Sequence, residues 1–238
     1  MIILENLTVR FGGVISLDAV NATLPVGTVG LIGPNGAGKT TLLNVLSGFV
    51  KPDSGRVVAF DQELSGLSGH RRARWGIRRT FQTEQAIAGL SVYDNVAMVH
   101  EHTGGARRER RSAVRQALEF VGLSAQQSRA VGQLSAADRR FVELARAVVG
   151  RPRVVLLDEP AAGLPETETN RMGEAIRAVP QQFQALTVLV DHDMALVSSC
   201  CESALVLDFG RVIAFGATAE VLGDEHVRRA YLGAEDIE

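Results

Sequence analysis

The sequence predicts an α/β fold with a mixed sheet core, an antiparallel β region at the N-terminus and an inserted helical lobe. Three observations lead to this prediction. Short apolar runs typical of strands are frequent up to residue 60, and they alternate with helical stretches again from residue 153 onward. Between residues 65 and 150 strands are hard to find, and helical stretches rich in Ala and Arg dominate. A glycine-rich turn joins an apolar run at residues 29–32 to a helical stretch that starts near residue 40.

The order of the predicted elements indicates a single domain over residues 1–238. Strands are expected at residues 2–10, 20–24, 29–32, 56–60, 154–157, 186–190, 204–208 and 211–215, and helices at residues 40–46, 68–75, 91–101, 109–121, 135–149, 166–178, 193–200 and 218–232. The chain contains no repeat, low-complexity tract or linker that would separate independent domains. We therefore expect a core of residues 1–82 and 151–238, with a helical lobe of residues 83–150.

Composition and charge make several classes of function improbable. Apolar residues make up 46% of the 238 residues and charged residues 22%, which is ordinary for a soluble globular protein. The formal charge of −2 gives no reason to expect nucleic acid as the main partner. No apolar stretch has the roughly 18 residues of a membrane span, and no signal peptide is apparent. The adjacent Cys200 and Cys201 cannot cross-link the fold and indicate reduced thiols, as in the cytoplasm.

A nine-residue stretch contains the phosphate-loop pattern G-x-x-x-x-G-K-[ST]. Its residues are Gly33, Pro34, Asn35, Gly36, Ala37, Gly38, Lys39, Thr40 and Thr41. Because the stretch lies between a strand and the start of a helix, its backbone N–H groups can converge on a polyphosphate, aided by the helix dipole. Lys39 would contact the β- and γ-phosphates, and the hydroxyl of Thr40 would ligate Mg²⁺. The loop predicts a nucleoside triphosphate-binding protein of the P-loop class.

Two acids follow the apolar strand predicted at residues 154–157. In a parallel sheet, acids at that end of a strand lie beside the phosphate loop. Asp158 would therefore hold Mg²⁺, directly or through water, and Glu159 would polarise the attacking water as general base. An acidic, solvated strand end is the simpler interpretation of these two residues alone. Together with Lys39, however, they indicate a nucleotide hydrolase.

Three further residues are candidates for the nucleotide site. Gln82 lies where the strand-rich core gives way to the helical lobe, and its neutral amide could contact both Mg²⁺ and the attacking water. His192 follows another apolar strand and could donate a hydrogen bond to the γ-phosphate. Phe11 would offer a flat face on which the adenine ring could stack. Each has a structural alternative: a surface glutamine, a structural histidine at a strand end, or an ordinary core aromatic.

The spacing of these motifs resembles the ATPase subunits of ATP-binding cassette (ABC) transporters, and the resemblance covers the chain from Phe11 to His192. Four short segments are similar, more narrowly, to the branched-chain amino-acid (or urea) uptake ATPases of bacteria. These segments are Arg79-Thr80-Phe81-Gln82, Asp158-Glu159-Pro160-Ala161-Ala162-Gly163-Leu164, Asp191-His192-Asp193-Met194 and Arg229-Ala230-Tyr231-Leu232-Gly233.

The resemblance implies a subunit that binds and hydrolyses ATP with Mg²⁺ and thereby powers uptake of a small solute, with branched-chain amino acids as the predicted solute. It implies transmembrane permease subunits and a second ABC ATPase subunit as partners, and a solute-binding protein indirectly. The expected location is peripheral, at the cytoplasmic face of the inner (plasma) membrane. ATP would close two such subunits face to face, with each γ-phosphate between one phosphate loop and the signature helix of the other subunit.

The signature helix departs from the family pattern. Cassettes open this helix with Leu-Ser-Gly-Gly-Gln, and this chain has Leu134-Ser135-Ala136-Ala137-Asp138 in that place. By resemblance, the trans signature offered to the partner's γ-phosphate consists of Ser135, Ala136, Ala137 and Asp138. The two methyl groups stand where backbone approaches phosphate closely, and Asp138 brings a negative charge near an anion. Pro165 also stands where the family usually has Asp or Asn. We therefore predict a heterodimer with a partner that has an intact signature.

The basic runs of the chain keep one alternative open, a nucleic-acid- or ribosome-associated ABC-type ATPase. Arg71-Arg72-Ala73-Arg74 and Arg107-Arg108-Glu109-Arg110-Arg111 could contact phosphate backbones, although solvated helix faces are the more ordinary interpretation. DNA-repair relatives place a long coiled coil or zinc modules between Gln82 and the signature, and this chain has no sustained heptads and no cysteines there. A non-hydrolysing binding module is disfavoured because Glu159 and His192 are both present. We expect no nucleic-acid partner.

Overall fold

The computed structural model describes residues 1–232, and these form two compact units. Unit 1 consists of Met1–Arg72 and the chain from Val188 onward, and unit 2 consists of Ala73–Thr187. The residues predicted to form a helical lobe, 83–150, lie within unit 2. Gly233, the last residue of the C-terminal segment that resembles the amino-acid uptake cassettes, lies outside the described residues.

Strands and helices follow each other along the chain in the α/β order that the sequence predicts. The strands are β1 (Ile2–Phe11), β2 (Val14–Leu24), β3 (Thr28–Ile32), β4 (Ser54–Ala59), β5 (Gln62–Glu63), β6 (Ile77–Arg79), β7 (Val154–Asp158), β8 (Leu186–Val190), β9 (Ser203–Asp208) and β10 (Arg211–Ala217). The helices are α1 (Lys39–Ser47), α2 (Gly69–Trp75), α3 (Val92–His102), α4 (Arg110–Phe120), α5 (Ala136–Val148), α6 (Glu166–Phe183), α7 (Met194–Cys200), α8 (Thr218–Gly223) and α9 (Glu225–Leu232). None of these helices combines the length and apolar character that crossing a membrane requires.

The N-terminal part of unit 1 is the predicted antiparallel β region. Strand β1 pairs antiparallel with β2 on one side and with β4 on the other, giving the order β2-β1-β4-β5. Leu4, Leu7 and Val9 of β1 are buried and supply its core face. Strand β2 begins at Val14, well before the predicted start at residue 20. Irregularities in the β1–β2 register and the positive φ of Ala19 interrupt the period-two pattern, so the sequence alone did not reveal the first half of β2.

A second group of strands in unit 1 is mixed. Strand β3 pairs parallel with β9, and β9 pairs antiparallel with β10. All five residues of β3 are buried, as expected for a strand covered on both faces. Helix α1 follows it, buries Leu42, Leu43 and Leu46, and ends at Gly48 in a left-handed conformation with φ of 80°.

Unit 2 is mostly helical, and it contains a short parallel pair that the sequence did not predict. Strand β6 pairs parallel with β7 over three residues. Strand β6 has only three residues, and two of them are Arg78 and Arg79, so no apolar run marks it in the sequence. It is recognised as a strand only by its pairing with β7. Helices α3, α4 and α5 bury side chains such as Val96, Leu118 and Phe141. Strand β8 is fully buried and is divided between the two units after Thr187.

Asn95 of α3 forms hydrogen bonds with the backbone of the segment that follows Gln82 in unit 2. The side chain is completely buried; its Oδ1 accepts a hydrogen bond from the N–H of Ile87 at 2.7 Å. Its Nδ2 donates to the carbonyl oxygens of Ile87 and Ser91, each at 3.0 Å. A buried amide with these partners satisfies its own polar atoms and those of an irregular segment at once. The end of this segment that lies next to α3 is therefore held in place by the side chain of Asn95.

Candidate functional site

In unit 1 the loop between β3 and α1 curls around the ammonium group of Lys39. Nζ of Lys39 donates hydrogen bonds to the carbonyl oxygens of Gly33, at 2.6 Å, and Pro34, at 2.9 Å. Lys39 is only 7% exposed, so its charge is held largely out of water by backbone dipoles. Lys39 is also the first residue of α1, whose N-terminal N–H groups and dipole favour an anion at this place.

Two glycines of the loop hold conformations and close approaches that other residues could not. Gly33 has φ of 149°, and a Cβ there would lie 2.1 Å from the carbonyl oxygen of Leu207. Gly38 has φ of 104°, and a Cβ there would lie 2.6 Å from the carbonyl oxygen of Ser16. The spacing of these glycines in the phosphate-loop pattern therefore has a steric cause in this fold.

The two threonines at the start of α1 are in different environments. The hydroxyl oxygens of Thr41 and Ser16 are 2.7 Å apart, so the Thr41 hydroxyl links α1 to β2. Thr40 is exposed at the N-terminus of the helix, as a hydroxyl that has to reach a metal ion must be. Asn35 and Gly36, at the tip of the loop, are also exposed.

Phe11 is the last residue of β1 and is 53% exposed. This exposure excludes the alternative that it is an ordinary core aromatic. An exposed ring at the end of a strand is available for stacking, and the assignment of adenine to it stays a prediction.

In unit 2 the carboxylate of Asp158 is buried in an ion pair. Its Oδ2 accepts a hydrogen bond from Nη2 of Arg79 at 3.0 Å, and the two side chains are 9% and 6% exposed. The backbone N–H of Asp158 donates to Oγ1 of Thr80 at 3.1 Å. Sequence reasoning quoted Arg79 only as part of a resemblance and missed its contact with Asp158. The parallel pairing of β6 with β7, which brings these residues together, had no detectable signal in the sequence.

Glu159 follows β7 in a left-handed backbone conformation, with φ of 48°. Such a conformation is costly for a residue with a side chain, and conformations of this kind cluster at functional sites. Nε2 of Gln82 donates a hydrogen bond to Oε2 of Glu159 at 3.1 Å. The structure therefore brings together Gln82 and the candidate general base, although they are far apart in the sequence.

Arg140 of α5 is a second residue of this region that the sequence did not single out for a role. Its Nη1 donates to the carbonyl oxygen of Gln82 at 3.3 Å, and its Nη2 donates to the carbonyl oxygen of Ala162 at 3.5 Å. Arg140 thus connects the helix that carries the signature to the backbone on both sides of the Gln82–Glu159 contact. No sequence signal distinguishes it from the other arginines of α5.

His192 lies in unit 1, on the short turn between β8 and α7, and is exposed. Acidic residues on both sides fix this turn. Oδ1 of Asp191 accepts a hydrogen bond from the N–H of Asp193 at 3.0 Å. Oδ1 of Asp193 in turn caps α7 by accepting from the N–H groups of Ala195 and Leu196. The turn therefore presents His192 in a defined backbone conformation.

The signature residues form the start of α5 in unit 2. Ser135 is the N-cap residue, and its Oγ accepts a hydrogen bond from the N–H of Asp138 at 3.0 Å. Ala136 and Ala137 occupy the first two helical positions. Oδ2 of Asp138 accepts a hydrogen bond from Nε2 of Gln126 at 3.3 Å. The serine hydroxyl and the acid therefore both take part in the local structure of their own helix end.

The oxygen donors predicted for Mg²⁺ suit that ion chemically. They are the exposed hydroxyl of Thr40, the exposed side-chain amide of Gln82 and the carboxylate of Asp158. Mg²⁺ prefers hard oxygen ligands and is usually held by few protein groups, with phosphate oxygens and water completing its shell. Because Asp158 also contacts Arg79, a metal ion would share this carboxylate with a guanidinium.

Cys200 and Cys201, both buried and free, lie outside this chemistry. Their sulfur atoms are 3.9 Å apart, and hydrogen bonding to Cys200, together with burial, raises the pKa of the Cys201 thiol. A thiol that stays protonated is a poor nucleophile and a poor metal ligand. We therefore assign Cys201 to the core of unit 1, and the burial of Cys200 places that residue there too.

Comparison with known protein families identifies the chain. A family model described as ABC transporter matches residues 17–162, which is more than half of the sequence. This chain belongs to the ABC transporter family. A second model, described as branched-chain amino acid ATP-binding cassette transporter, matches residues 211–237.

Individual relatives agree with the family assignment. The high-affinity branched-chain amino acid transport ATP-binding protein LivG of Escherichia coli (strain K12) is 37% identical, over 96% of each chain. The corresponding protein BraF of Pseudomonas aeruginosa is 36% identical, also over 96% of each chain. A solved ATP-binding cassette of an ABC transporter in its ADP conformation superposes with a TM-score of 0.86, at 27% identity over 98% of each chain.

These findings confirm the predicted α/β P-loop fold of the ABC type and the predicted activity. The chain is the ATP-binding subunit of an ABC transporter and an ABC-type ATPase. Subunits of this kind work with the transmembrane permease components of their transporters. The alternative of a nucleic-acid- or ribosome-associated ATPase has no support in these matches.

Proposed function

We propose that this chain hydrolyses ATP with Mg²⁺ and powers the uptake of branched-chain amino acids through a separate permease. The observation that carries this proposal is the match of residues 211–237 to the branched-chain amino acid cassette model. The similarity to LivG and BraF over nearly the whole chain supports the same solute.

In this proposal the phosphate loop binds the triphosphate and positions it. Backbone N–H groups of the loop after Pro34 and at the N-terminus of α1 would contact the phosphate oxygens. The ammonium group of Lys39, now bonded to the carbonyl oxygens of Gly33 and Pro34, would move its hydrogen bonds to the β- and γ-phosphates. Phe11 would stack on the adenine ring.

The hydrolytic step rests on two residues of unit 2 and one of unit 1. Glu159 would accept a proton from the attacking water, and the hydrogen bond from Gln82 would orient its carboxylate. His192 would donate a hydrogen bond to the γ-phosphate as charge develops on it. Mg²⁺, held by Thr40, Gln82 and Asp158, would supply charge neutralisation at the phosphates.

The partners follow from this function. The chain would lie peripherally at the cytoplasmic face of the inner (plasma) membrane, bound to transmembrane permease subunits, with a solute-binding protein acting indirectly. A second ABC ATPase subunit would complete the pair. We propose a heterodimer, because Ala136, Ala137 and Asp138 replace residues that a partner's γ-phosphate would contact in the family pattern, and Pro165 offers no side-chain donor or acceptor.

A transport assay tests the solute and the chemistry together. The gene for this chain is deleted from its own organism and supplied again as wild type or as Glu159→Gln. We expect the wild type to restore uptake of labelled leucine, isoleucine and valine, and Glu159→Gln to leave uptake at the level of the deletion strain. Restored uptake of urea or methionine without any leucine uptake would overturn the proposed solute.

A further inference from the structure

Unit 2 contains a cavity of about 640 Å³ that none of the predicted nucleotide-site residues lines. Its volume is in the range of small-molecule sites. The lining is strongly basic: guanidinium groups come from Arg74, Arg78, Arg151 and Arg153, and the lining contains a single carboxylate, Glu109. Glu109 pairs with Arg151, with 3.7 Å between Nη2 and Oε2. Most of the positive charge of the lining is therefore not balanced within the cavity.

Arg78 of β6 is the buried guanidinium group of this lining and gives the strongest indication of an anion site. It is only 7% exposed; its Nη1 donates to the backbone carbonyl oxygens of Ala73 and Ile77. Its Nε is buried without a hydrogen-bond partner, and within residues 1–232 no carboxylate forms an ion pair with it. Burial lowers the pKa of Arg78 to about 10. A buried guanidinium without an anion is unfavourable, so a bound anion would remove an existing cost.

The guanidinium of Arg153 is oriented by a contact that does not neutralise its charge. The guanidinium of Arg153 lies over the ring of Trp75, with its central carbon 4.9 Å from the ring centre. Such a contact orients the cation and leaves its N–H edge able to bind an oxyanion. Arg74, in the last turn of α2, is exposed at the rim.

Two glycines of the lining, Gly105 and Gly150, bring the backbone close to the ring of His100, which also lines the cavity. A Cβ at Gly105 would lie 2.3 Å from the ring of His100, and a Cβ at Gly150 would lie 3.2 Å from its Nδ1. Gly150 has φ of 81°, a conformation that favours glycine. His100 is 2% exposed and packs beneath both glycines. On this side the lining of the cavity therefore consists of glycine backbone packed against the buried ring of His100.

We propose that this cavity is a binding site for a phosphate group, carried by a small molecule or by a lipid headgroup. Several guanidinium groups around one half-open cavity match a doubly charged, multidentate oxyanion better than a single carboxylate. The site is distinct from the phosphate loop, because its lining comes from the end of α2, strand β6, the end of α3, the segment between α3 and α4, the start of α4 and the segment that leads into β7.

The test measures anion binding by the full chain carrying Lys39→Ala, which removes the cation of the phosphate loop. Inorganic phosphate and pyrophosphate are titrated by calorimetry, and the thermal midpoint is followed with each anion. We expect binding and an anion-dependent rise of the midpoint. Adding Arg78→Gln should raise the dissociation constant at least about 10-fold, because a charge-assisted hydrogen bond is lost. Arg153→Gln should act in the same direction.

Two controls separate binding from folding. Arg177→Gln removes one exposed guanidinium from α6, outside the cavity, and should leave the dissociation constant unchanged. Without an anion, Arg78→Gln should melt at the same temperature as its parent or higher, since it relieves a buried, unpaired charge. If Arg78→Gln fails to fold, Arg153→Gln at the exposed edge decides the question.

Two further arms identify the source of the phosphate. Vesicles of phosphatidylcholine with and without phosphatidylglycerol are tested with the same variants. Arginine-dependent binding to the anionic vesicles alone assigns the phosphate to a lipid, and binding of soluble pyrophosphate assigns it to a small molecule. Binding of a hexaglutamate peptide but of neither phosphate form would overturn the proposal in favour of a protein partner. Absence of binding, or an equal loss in Arg177→Gln, would also overturn it.

Discussion

Two helix N-termini in this molecule have opposite electrostatic character. Helix α1 in unit 1 starts directly after Gly38, has no acidic residue in its first turn and has Lys39 as its first residue. Helix α5 in unit 2 starts after Ser135 and has Asp138 in its first turn. Both helices offer the same dipole to an anion. In α1 that dipole is reinforced by a cation, whereas in α5 the chain supplies its own anion.

The hydrogen bonds extend the contrast. The hydroxyl of Ser135 already accepts from the N–H of Asp138, and the carboxylate of Asp138 already accepts from Gln126. A γ-phosphate brought to α5 would meet an N–H of Asp138 that already has an acceptor, and a negative charge. In the loop before α1, by contrast, Nζ of Lys39 donates hydrogen bonds to the carbonyl oxygens of Gly33 and Pro34, and phosphate oxygens can replace these acceptors. The start of α5 therefore keeps its helix cap although its residues depart from the family pattern.

The largest effect is expected on ATP turnover, when the candidate general base Glu159 is replaced. Glu159→Gln removes the candidate base and keeps the shape of the side chain and its contact with Gln82. Turnover of ATP should fall at least about 100-fold, and ATP binding should persist. Phosphate-release assays and nucleotide titration measure the two quantities separately. Turnover equal to that of the wild type would remove Glu159 from the role of base.

A smaller effect, a loss of affinity for ATP, is expected when Lys39 at the start of α1 is replaced. Lys39→Ala should weaken ATP binding about 10- to 100-fold, because the polyphosphate loses a charge-assisted hydrogen bond. Titration with a fluorescent ATP analogue checks this result. Lys51→Ala, a lysine in the turn after α1, is the matched control and should bind ATP as the wild type does. Equal affinities of the Lys39 variant and the wild type would contradict the contrast between the two helix ends.

At the start of α5 we predict a gain of ATPase activity when the family signature is restored. The isolated chain should have low ATPase activity, since self-pairing would place Ala136, Ala137 and Asp138 opposite each ATP. The triple variant Ala136→Gly, Ala137→Gly, Asp138→Gln should raise activity about 10-fold, the size expected when one charge-assisted contact is restored. Activity is measured for both proteins at several concentrations. Rapid hydrolysis by the unmodified chain that does not change in the triple variant would refute the heterodimer proposal.

The smallest effect concerns stability. Ser135→Ala removes the cap of α5 and should lower the free energy of unfolding by about 1 kcal/mol. Urea denaturation measures it, with Ser199→Ala on α7 as a serine control away from a helix start. Because α5 in this chain is capped for its own stability, the ATPase activity of the isolated chain should change little. A large loss of activity in Ser135→Ala would show that this helix end still serves catalysis.

Local features of the site were predictable from the sequence, and contacts between distant segments were not. The phosphate loop requires glycines at fixed places, so Gly33, Gly38 and Lys39 stand out in any reading of the sequence. The pairing of Arg79 with Asp158 depends on β6, which is only three residues long. The contacts of Arg140 depend on the orientation of α5. Such contacts have no periodic signal, because each joins residues far apart in the chain.

The buried amide of Asn95 has a consequence for the exchange of backbone protons. The segment from Gln82 to α3 contains no helix or strand, so its amide protons would ordinarily exchange with solvent within moments. The N–H of Ile87 is one exception, because it donates to Oδ1 of Asn95, a residue with no exposed surface. Its deuterium uptake should follow the slow opening of α3 rather than the fast motions of a loop. Together with the N–H of Gln85, which donates to Oε1 of the buried Glu143 at 2.8 Å, this slow amide would mark the point at which the segment after Gln82 becomes part of the folded unit.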